Sequence, residues 1–262
     1  MSTHLDRLVA SALQDMAARA GKATLADVRA KALARQEPRP FAAALIAART
    51  RGVAVIAEVK RSSPSKGAIA PGLDPGKLAA AYERGGAACL SVLTDRVHFG
   101  GSLDDLKSAR RACALPVLRK DFLVTPYQLY EARAHGADAV LLIVAALPQP
   151  LLEELAGLAR ELRLTVLMEV HDEEEVSIAR TCAPDLLGIN ARNLKTLAVD
   201  PGTFARLEPL ARGLAPLVAE SGVKSQDDVR RYRSEGADAL LVGEALSAAL
   251  DPEAATRALV SS

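Results

Sequence analysis

The 262-residue sequence predicts an α/β fold: a closed (β/α)8 barrel with an N-terminal helical extension. Eight short apolar runs, each about as long as a buried strand, alternate with amphipathic helical patterns. One helix–turn–strand unit also recurs, because Gly136-Ala137-Asp138 returns as Gly236-Ala237-Asp238 and Gly85-Gly86-Ala87 is a weaker copy. Such repetition is expected where each strand and its helix occupy equivalent places in a barrel.

The first 48 or so residues carry helical patterns only. An amphipathic first helix is predicted by the spacing of Leu5, Leu8, Val9, Leu13 and Met16. Thr24 with Asp27 forms a capping-box signal for a second helix, which ends before Pro38. A third helix is predicted from Phe41 to about Arg49. We therefore expect residues 1–262 to form one domain, of which about 1–48 are extra helices outside the barrel.

The barrel strands are predicted near residues 54–60, 88–93, 116–120, 138–144, 164–170, 185–190, 216–220 and 238–243. Helical patterns between them include Leu103–Arg111, Tyr127–Ala134, Leu151–Leu162, Glu173–Ala179 and Asp227–Ser234. A doubly wound open sheet is the alternative architecture. It normally carries a GxGxxG loop after its first strand, and this sequence has none.

Composition excludes several classes of function. The net charge is +1 and no long run has one sign, so neither a nucleic acid nor an anionic membrane is an expected partner. Cys89, Cys113 and Cys182 are widely spaced, which argues against disulfides and zinc and fits a reducing cytoplasm. The sequence has no signal-peptide core and no apolar run of membrane-spanning length.

Polar side chains end five of the predicted strands or follow them directly. They are Glu58, Lys60, Lys120, Glu169, Asn190, Arg192 and Glu220. The carboxyl ends of barrel strands share one face, where barrel active sites lie, so these side chains are expected to converge. One charge at a strand end is usually a solvated rim residue, but seven such residues favour a functional site.

This set of residues indicates proton-transfer chemistry without a cofactor. Crowded carboxylates and cations can give similar groups different pKa values, as acid–base catalysis requires. Two lysines also leave Schiff-base chemistry open, although no feature selects it. No cluster of metal-ligand residues is present in the sequence, so neither a metal nor a redox cofactor is expected.

A phosphate site is predicted independently. Gly222 and Gly243-Glu244 follow the last two predicted strands, and a short helix over Ala245–Ala249 comes next. Barrels often bind phosphate with backbone N–H groups of these two loops. Ser63 in the first loop is expected to close over the same anion, and Glu244 to contribute only its backbone N–H.

The loop from Ser62 to Ile69 is predicted to be a mobile lid. It is polar, contains Pro64 and Gly67, and follows the charged first strand. Its Lys66 has no obvious structural partner in the sequence.

Together these motifs resemble the indole-3-glycerol-phosphate synthase family, TIM-barrel enzymes of tryptophan biosynthesis. The resemblance covers about residues 1–255, and its most specific part is the segment from Ile56 to Gly67. The later motifs follow in the family's order: Leu118–Phe122, Leu167–His171, Gly188–Leu194, Ala219–Gly222 and Leu241–Glu244. Ser62 stands where the family often has alanine.

The resemblance implies a carboxy-lyase that acts on 1-(2-carboxyphenylamino)-1-deoxyribulose 5-phosphate and closes the indole ring with loss of carbon dioxide and water. It implies that Lys60 or Lys120 is the general acid, without deciding between them. Glu169 would assist dehydration, and Glu58 would orient the lysine and stabilise developing positive charge.

The resemblance also implies a substrate-binding set. Asn190, Arg192 and Glu220 would hold the anthranilate end, between Phe99 and Phe122. Ser63, Gly222 and Gly243 would hold the phosphate. The same motifs add Ser221, Leu241 and Glu244 to the binding residues.

Two alternatives remain at this point. One is a phosphosugar isomerase of the same pathway, which would use an Asp and Cys pair that the strand ends lack; the other is a non-catalytic binder of phosphate ligands. The expected partner is a small phosphorylated substrate. The chain is expected to be a monomer, with weak self-association left open.

Overall fold

The computed structural model describes residues 3–50 and 52–262 of the chain. Eight parallel strands form a closed barrel, which confirms the predicted fold class. They are β1 (Ala54–Val59), β4 (Cys89–Leu93), β5 (Val117–Lys120), β6 (Ala139–Ile143), β7 (Thr165–Val170), β8 (Leu186–Asn190), β9 (Leu217–Glu220) and β10 (Ala239–Val242). A short antiparallel ribbon, β2 (Ser62–Ser63) with β3 (Gly67–Ala68), lies in the loop after β1. The barrel closes where β10 pairs with β1.

Three helices precede the barrel: α1 (His4–Ala20), α2 (Leu25–Leu33) and α3 (Phe41–Arg49). The helices between and after the strands are α4 (Pro75–Arg84), α5 (Arg96–Phe99), α6 (Leu103–Ala112), α7 (Pro126–His135), α8 (Gln149–Glu161), α9 (Glu173–Cys182), α10 (Thr203–Ala211), α11 (Gln226–Ser234), α12 (Glu244–Ser247) and α13 (Pro252–Val260). The short helix expected over Ala245–Ala249 is thus α12. In the part of the chain that the structure describes, no helix is long and apolar enough to cross a membrane.

The repeated Gly-Ala-Asp unit has a structural cause. Gly136 and Gly236 take left-handed backbone conformations, with φ of 92° and 101°, as each helix ends. The aspartates two positions on accept backbone N–H groups of the neighbouring strand: Asp138 from Val117 at 2.9 Å, and Asp238 from Leu217 at 2.7 Å. Each unit therefore turns the chain and joins the start of one strand to the start of the next.

Apolar side chains fill the barrel and close its N-terminal end. Buried residues inside it include Ile56, Leu118, Leu141, Leu167 and Val218. Helix α3 places Phe41 and Leu45 in this cluster, and the Cys89 thiol at the start of β4 contacts the Phe41 carbonyl at 3.5 Å. Because α3 seals that end, the opposite end is left for polar side chains.

Helix α1 is fixed to the barrel wall by buried ion pairs. Arg19 Nε lies 2.6 Å from Glu131 Oε1, and Glu131 Oε2 lies 3.0 Å from the fully buried Arg119 of β5. Arg119 also pairs with Asp121 at 2.9 Å. Buried charges cost free energy unless they are paired, and this chain of contacts pairs each of them.

Candidate active site

A cavity of about 800 Å³ opens at the carboxyl ends of the barrel strands. Of the fifteen site residues predicted from the sequence, fourteen line it: Glu58, Lys60, Ser63, Phe99, Lys120, Phe122, Glu169, Asn190, Arg192, Ser221, Gly222, Leu241, Gly243 and Glu244. The fifteenth, Glu220, lies just beneath the floor, is 1% exposed, and forms an ion pair with Lys120. Topology thus gathers side chains that are up to 186 positions apart in the sequence.

Lys120 is the cation at the floor of the cavity. Its Nζ donates to Glu220 Oε2 and lies 3.7 Å from Glu169 Oε2. Burial alone would lower the pKa of Lys120, but Glu220 and Glu169 raise it above its ordinary value. Lys120 is therefore an ammonium at neutral pH, the form that a general acid must have.

The two carboxylates beside Lys120 have opposite pKa shifts. Burial raises the pKa of Glu220 to about 8, because desolvation outweighs the attraction of Lys120. Burial would also raise the pKa of Glu169, but contact with His171 and the charge on Lys120 lower it to about 2. Two similar groups separated in this way can act as an acid and as a base in one site.

Glu58 and Lys60 form a second charged pair at the end of β1. Their carboxylate and ammonium lie 3.6 Å apart, and Ser91 of β4 donates to Glu58 Oε2 at 3.2 Å. Both side chains face the cavity, as their spacing of two residues predicts. Lys60 Nζ also lies 5.7 Å from the centre of the Phe99 ring, a cation–π contact.

Two glycines make room for these carboxylates. A Cβ at position 188 would lie 2.2 Å from Glu220 Oε1, and one at position 243 would lie 2.3 Å from Glu58 Oε1. Side-chain atoms do not approach so closely, so a larger residue at either position would displace the carboxylate beside it. The sequence predicted Gly243 only as a phosphate ligand, and its steric role was missed because Glu58 is distant in the chain.

The loops after β8 and β9 are held together by Asn190. Its Oδ1 accepts from the Arg192 backbone N–H and from the Ser221 hydroxyl, each at 2.9 Å. Ser221 has φ of 66°, a left-handed conformation that is uncommon for a residue with a side chain. Such backbone strain is typical of functional sites. Arg192 Nη1 donates to the Leu197 carbonyl at 3.0 Å, which fixes its guanidinium at the cavity wall.

The predicted lid is the β2–β3 ribbon. Ser63 is buried, and its hydroxyl accepts from the Lys66 backbone N–H at 3.2 Å. The expectation that Lys66 lacks a partner is wrong: its Nζ lies 3.0 Å from Glu244 Oε1. This contact turns the Glu244 side chain toward the ribbon and spans the cavity mouth. Sequence reasoning missed it because loop residues follow no periodic pattern.

Other residues of the cavity were also missed. Leu8 of α1 forms part of its wall, although the sequence indicated only that it is buried. Lys224 and Arg231 add cations near Gly222. His171 does not line the cavity but stands behind Glu169, and its place two positions after Glu169, just beyond the end of β7, was the signal that could have pointed to it.

Comparison with known proteins identifies the family. The sequence matches the family described as indole-3-glycerol phosphate synthase over residues 5–259. It is 52% identical over 257 residues to indole-3-glycerol phosphate synthase 1 of Streptomyces coelicolor, covering 98% of this chain and 94% of that protein. It is 50% identical over 260 residues to indole-3-glycerol phosphate synthase of Mycolicibacterium gilvum, covering 99% and 94%.

A solved structure shows the same fold at low identity. Thiamine phosphate pyrophosphorylase from Pyrococcus furiosus superposes with a TM-score of 0.58 and 19% identity, over 80% of this chain and 95% of that one. At this identity the similarity concerns the barrel alone.

Proposed function

The chain belongs to the indole-3-glycerol phosphate synthase family, and we propose that it converts 1-(2-carboxyphenylamino)-1-deoxyribulose 5-phosphate into indole-3-glycerol phosphate with the residues of this cavity. The observation that carries the residue assignment is Lys120, a partly buried ammonium at the cavity floor that contacts both Glu169 and Glu220. A proton donor and a separate proton acceptor thereby lie within reach of one substrate.

We assign the two ends of the substrate by charge and polarity. Backbone N–H groups of Gly222 and Gly243 and the hydroxyl of Ser63 bind the phosphate. Arg192 faces the anthranilate carboxylate. Phe99 and Phe122, with ring centres 6.5 Å apart, contact the aromatic ring. Because Asn190 Oδ1 already accepts two hydrogen bonds, its amide N–H groups are the part that donates to the substrate.

Ring closure needs a proton on the ribulosyl carbonyl oxygen. A lysine ammonium donates it while the aromatic carbon that bears the carboxylate attacks the carbonyl carbon. The new C–C bond leaves positive charge on the nitrogen, which Glu58 stabilises. Loss of carbon dioxide then returns an electron pair to the ring and restores its aromaticity. Ring closure and decarboxylation together take up one proton, the one that the lysine gives to the carbonyl oxygen, and the loss of carbon dioxide itself takes up none.

Dehydration completes the indole. The hydroxyl formed from the carbonyl leaves as water after it receives a proton, and the adjacent CH₂ gives up a proton to a base. Glu169 is ionised and lies on the cavity floor, so we assign it as that base. This step neither consumes nor releases a net proton.

The assignment is tested by following carbon dioxide release and indole absorbance separately. We expect Lys120→Met to lower both rates about 100-fold or more. Glu169→Gln should release carbon dioxide ahead of indole, because ring closure precedes its step. Comparing Lys60→Met with Lys120→Met identifies the principal acid as the lysine whose loss slows carbon dioxide release more.

Lys107→Met is the matched control, because Lys107 pairs with Asp104 on the outer face of α6, away from the cavity. It should leave both rates unchanged. Binding of inorganic phosphate should be spared in the Lys120 and Glu169 variants. Near-normal turnover in both Lys120→Met and Glu169→Gln would refute the roles assigned to these two residues, whatever the family.

We also propose that residues 1–262 act as one domain, as a monomer and in the cytoplasm. Leu8 of the extension lines the same cavity as the barrel residues, which supports a single unit. The three cysteines are free and buried, which suits a reducing compartment. Light scattering at assay concentrations would measure the oligomeric state.

A further inference from the structure

His171 forms a buried bridge between two carboxylates behind the cavity floor. Its Nδ1 lies 2.9 Å from Glu175 Oε2 on α9, and its Nε2 lies 3.2 Å from Glu169 Oε1 on β7. Only 8% of the His171 side chain and 1% of the Glu169 side chain are exposed. Glu175 Oε2 also accepts the His171 backbone N–H at 2.8 Å, which fixes the residue at both ends.

From this geometry, and on the basis of the proposed function, we propose that His171 is a positioning residue that keeps Glu169 ionised and aimed into the cavity for the dehydration step. The residue itself does not line the cavity, so its effect on the substrate passes through Glu169.

The charge on His171 follows from its surroundings. Burial lowers the pKa of an imidazole, but contact with Glu169 and Glu175 raises that of His171 to about 10. It is therefore an imidazolium at neutral pH. The Nε2 contact with Glu169 lacks hydrogen-bond alignment, so the attraction is mainly between charges.

The charges that face this pair come from several elements. Glu169 contacts Lys120 of β5 at 3.7 Å, and Glu220 of β9 contacts the same lysine. Lys120 is thus shared by two carboxylates, whereas His171 has Glu169 as its partner on the cavity side. Without His171, Glu169 would have Lys120 as its cationic partner at 3.7 Å, and Lys120 Nζ donates its hydrogen bond to Glu220, so protonation of Glu169 would become easier.

A direct test is to titrate the Glu169 carboxyl by NMR in protein that carries ¹³C at its glutamate carboxyl groups. The Glu169 resonance is identified as the one that is absent from the spectrum of Glu169→Gln. In the wild type we expect no titration of Glu169 over about pH 5 to 9. In His171→Ala its midpoint should rise far enough for the upper part of its titration to appear near about pH 5. A Glu169 carboxyl that still shows no titration there in His171→Ala would overturn the proposal.

A second measurement is the pH profile of turnover. In His171→Ala the fall of kcat on the acid side of the profile should begin at a higher pH. At the low-pH end kcat should be about tenfold below that of wild type, and KM should stay within about twofold of the wild-type value. A residue that merely supports the fold would lower the amount of folded protein without moving the limb. An unmoved acid limb, with folded protein verified by circular dichroism, contradicts the proposal.

Two milder variants guard against a folding failure of His171→Ala. His171→Gln keeps a donor group near the position of Nε2 but carries no charge, and Glu175→Gln keeps the acceptor oxygen but removes the charge that holds His171. Both should shift the Glu169 titration upward, by less than the alanine variant. If neither shifts it, the proposal is wrong.

The control is His135→Gln on α7, whose imidazole contacts the Glu131 carbonyl at 2.8 Å and lies outside the site. It should change neither measurement. Because the NMR titration needs no substrate, it tests the role of His171 even if the wild-type protein fails to convert the proposed substrate. That failure would instead refute the proposed function.

Discussion

Replacement of Glu220 by glutamine should stabilise the protein at alkaline pH, although Glu220 belongs to the proposed site. Burial raises the pKa of this carboxyl to about 8 from an ordinary 4.5. The folded protein therefore binds the proton more tightly than the unfolded chain. The resulting stability is full below about pH 4.5 and is lost as the pH rises to about 8.

The size of the effect follows from the shift. One pKa unit corresponds to about 1.4 kcal/mol, so a rise from 4.5 to about 8 sets an upper limit of about 5 kcal/mol. This shift already includes the attraction between the Lys120 ammonium and the ionised carboxylate. Glu220→Gln carries no such charge and leaves Lys120 paired with Glu169, so we expect it to be more stable than wild type by up to about 5 kcal/mol at about pH 9.

Urea unfolding of wild type and Glu220→Gln at about pH 5.5 and about pH 9 measures this gain. Glutamine resembles the protonated carboxyl, so the free energies of unfolding of the two proteins should differ less at the lower pH, by about 1.4 kcal/mol, than at the higher pH. Other titrating groups cancel in the comparison. Glu131→Gln is the contrasting variant: Glu131 is 2% exposed and lies between two arginines, so its neutralisation should destabilise at both pH values. If the difference in free energy of unfolding between wild type and Glu220→Gln does not increase with pH, the reasoning is refuted.

Three further predictions concern the cavity mouth and its wall. Amide hydrogen exchange across residues 61–70 should slow when a substrate analogue binds, because the β2–β3 ribbon closes over the site. Equal, strong protection with and without the analogue would mean that the ribbon is no lid. Lys66→Ala should speed this exchange in the free protein by less than about fivefold, since the exposed Lys66–Glu244 pair contributes less than about 1 kcal/mol. Leu8→Ala should lower the free energy of unfolding by about 2–5 kcal/mol and raise KM, because Leu8 is 1% exposed and borders the cavity. Urea unfolding measures the first effect and steady-state kinetics the second. An unchanged KM would show that α1 only supports the fold.

Most of the fold was predictable because local patterns specify it. Apolar runs marked all eight barrel strands, and the capping box of Thr24 and Asp27 marked the start of α2. The helical patterns named from the sequence did not include α4, α10 and α13. Helix α10 contains Pro209, which normally indicates a break, but nearby buried residues such as Phe204 and Leu207 hold this helix in place. Tertiary packing therefore stabilises helix α10 although its local sequence disfavours a helix.

The composition of the site was predictable, but its pairings were not. Charges at strand ends had to converge, because all parallel strands of a barrel end on one face. Lys120 hydrogen-bonds Glu220, whereas Glu169 lies 3.7 Å away. This difference depends on barrel curvature and side-chain rotamers. The steric role of Gly188 likewise follows from where the Glu220 carboxylate lies, which no local pattern records.

The two ends of the barrel divide stability and chemistry between them. At the N-terminal end, Phe41 and Leu45 close an apolar core whose burial favours folding. At the other end, Glu169 and Glu220 are buried beside the partly buried Lys120, where charges cost free energy unless they are paired. Burial raises the pKa of Glu220, whereas Lys120 and His171 hold Glu169 ionised. The Lys120 ammonium and the Glu169 carboxylate therefore lie close together at neutral pH, and these are the acid and the base that the proposed reaction requires.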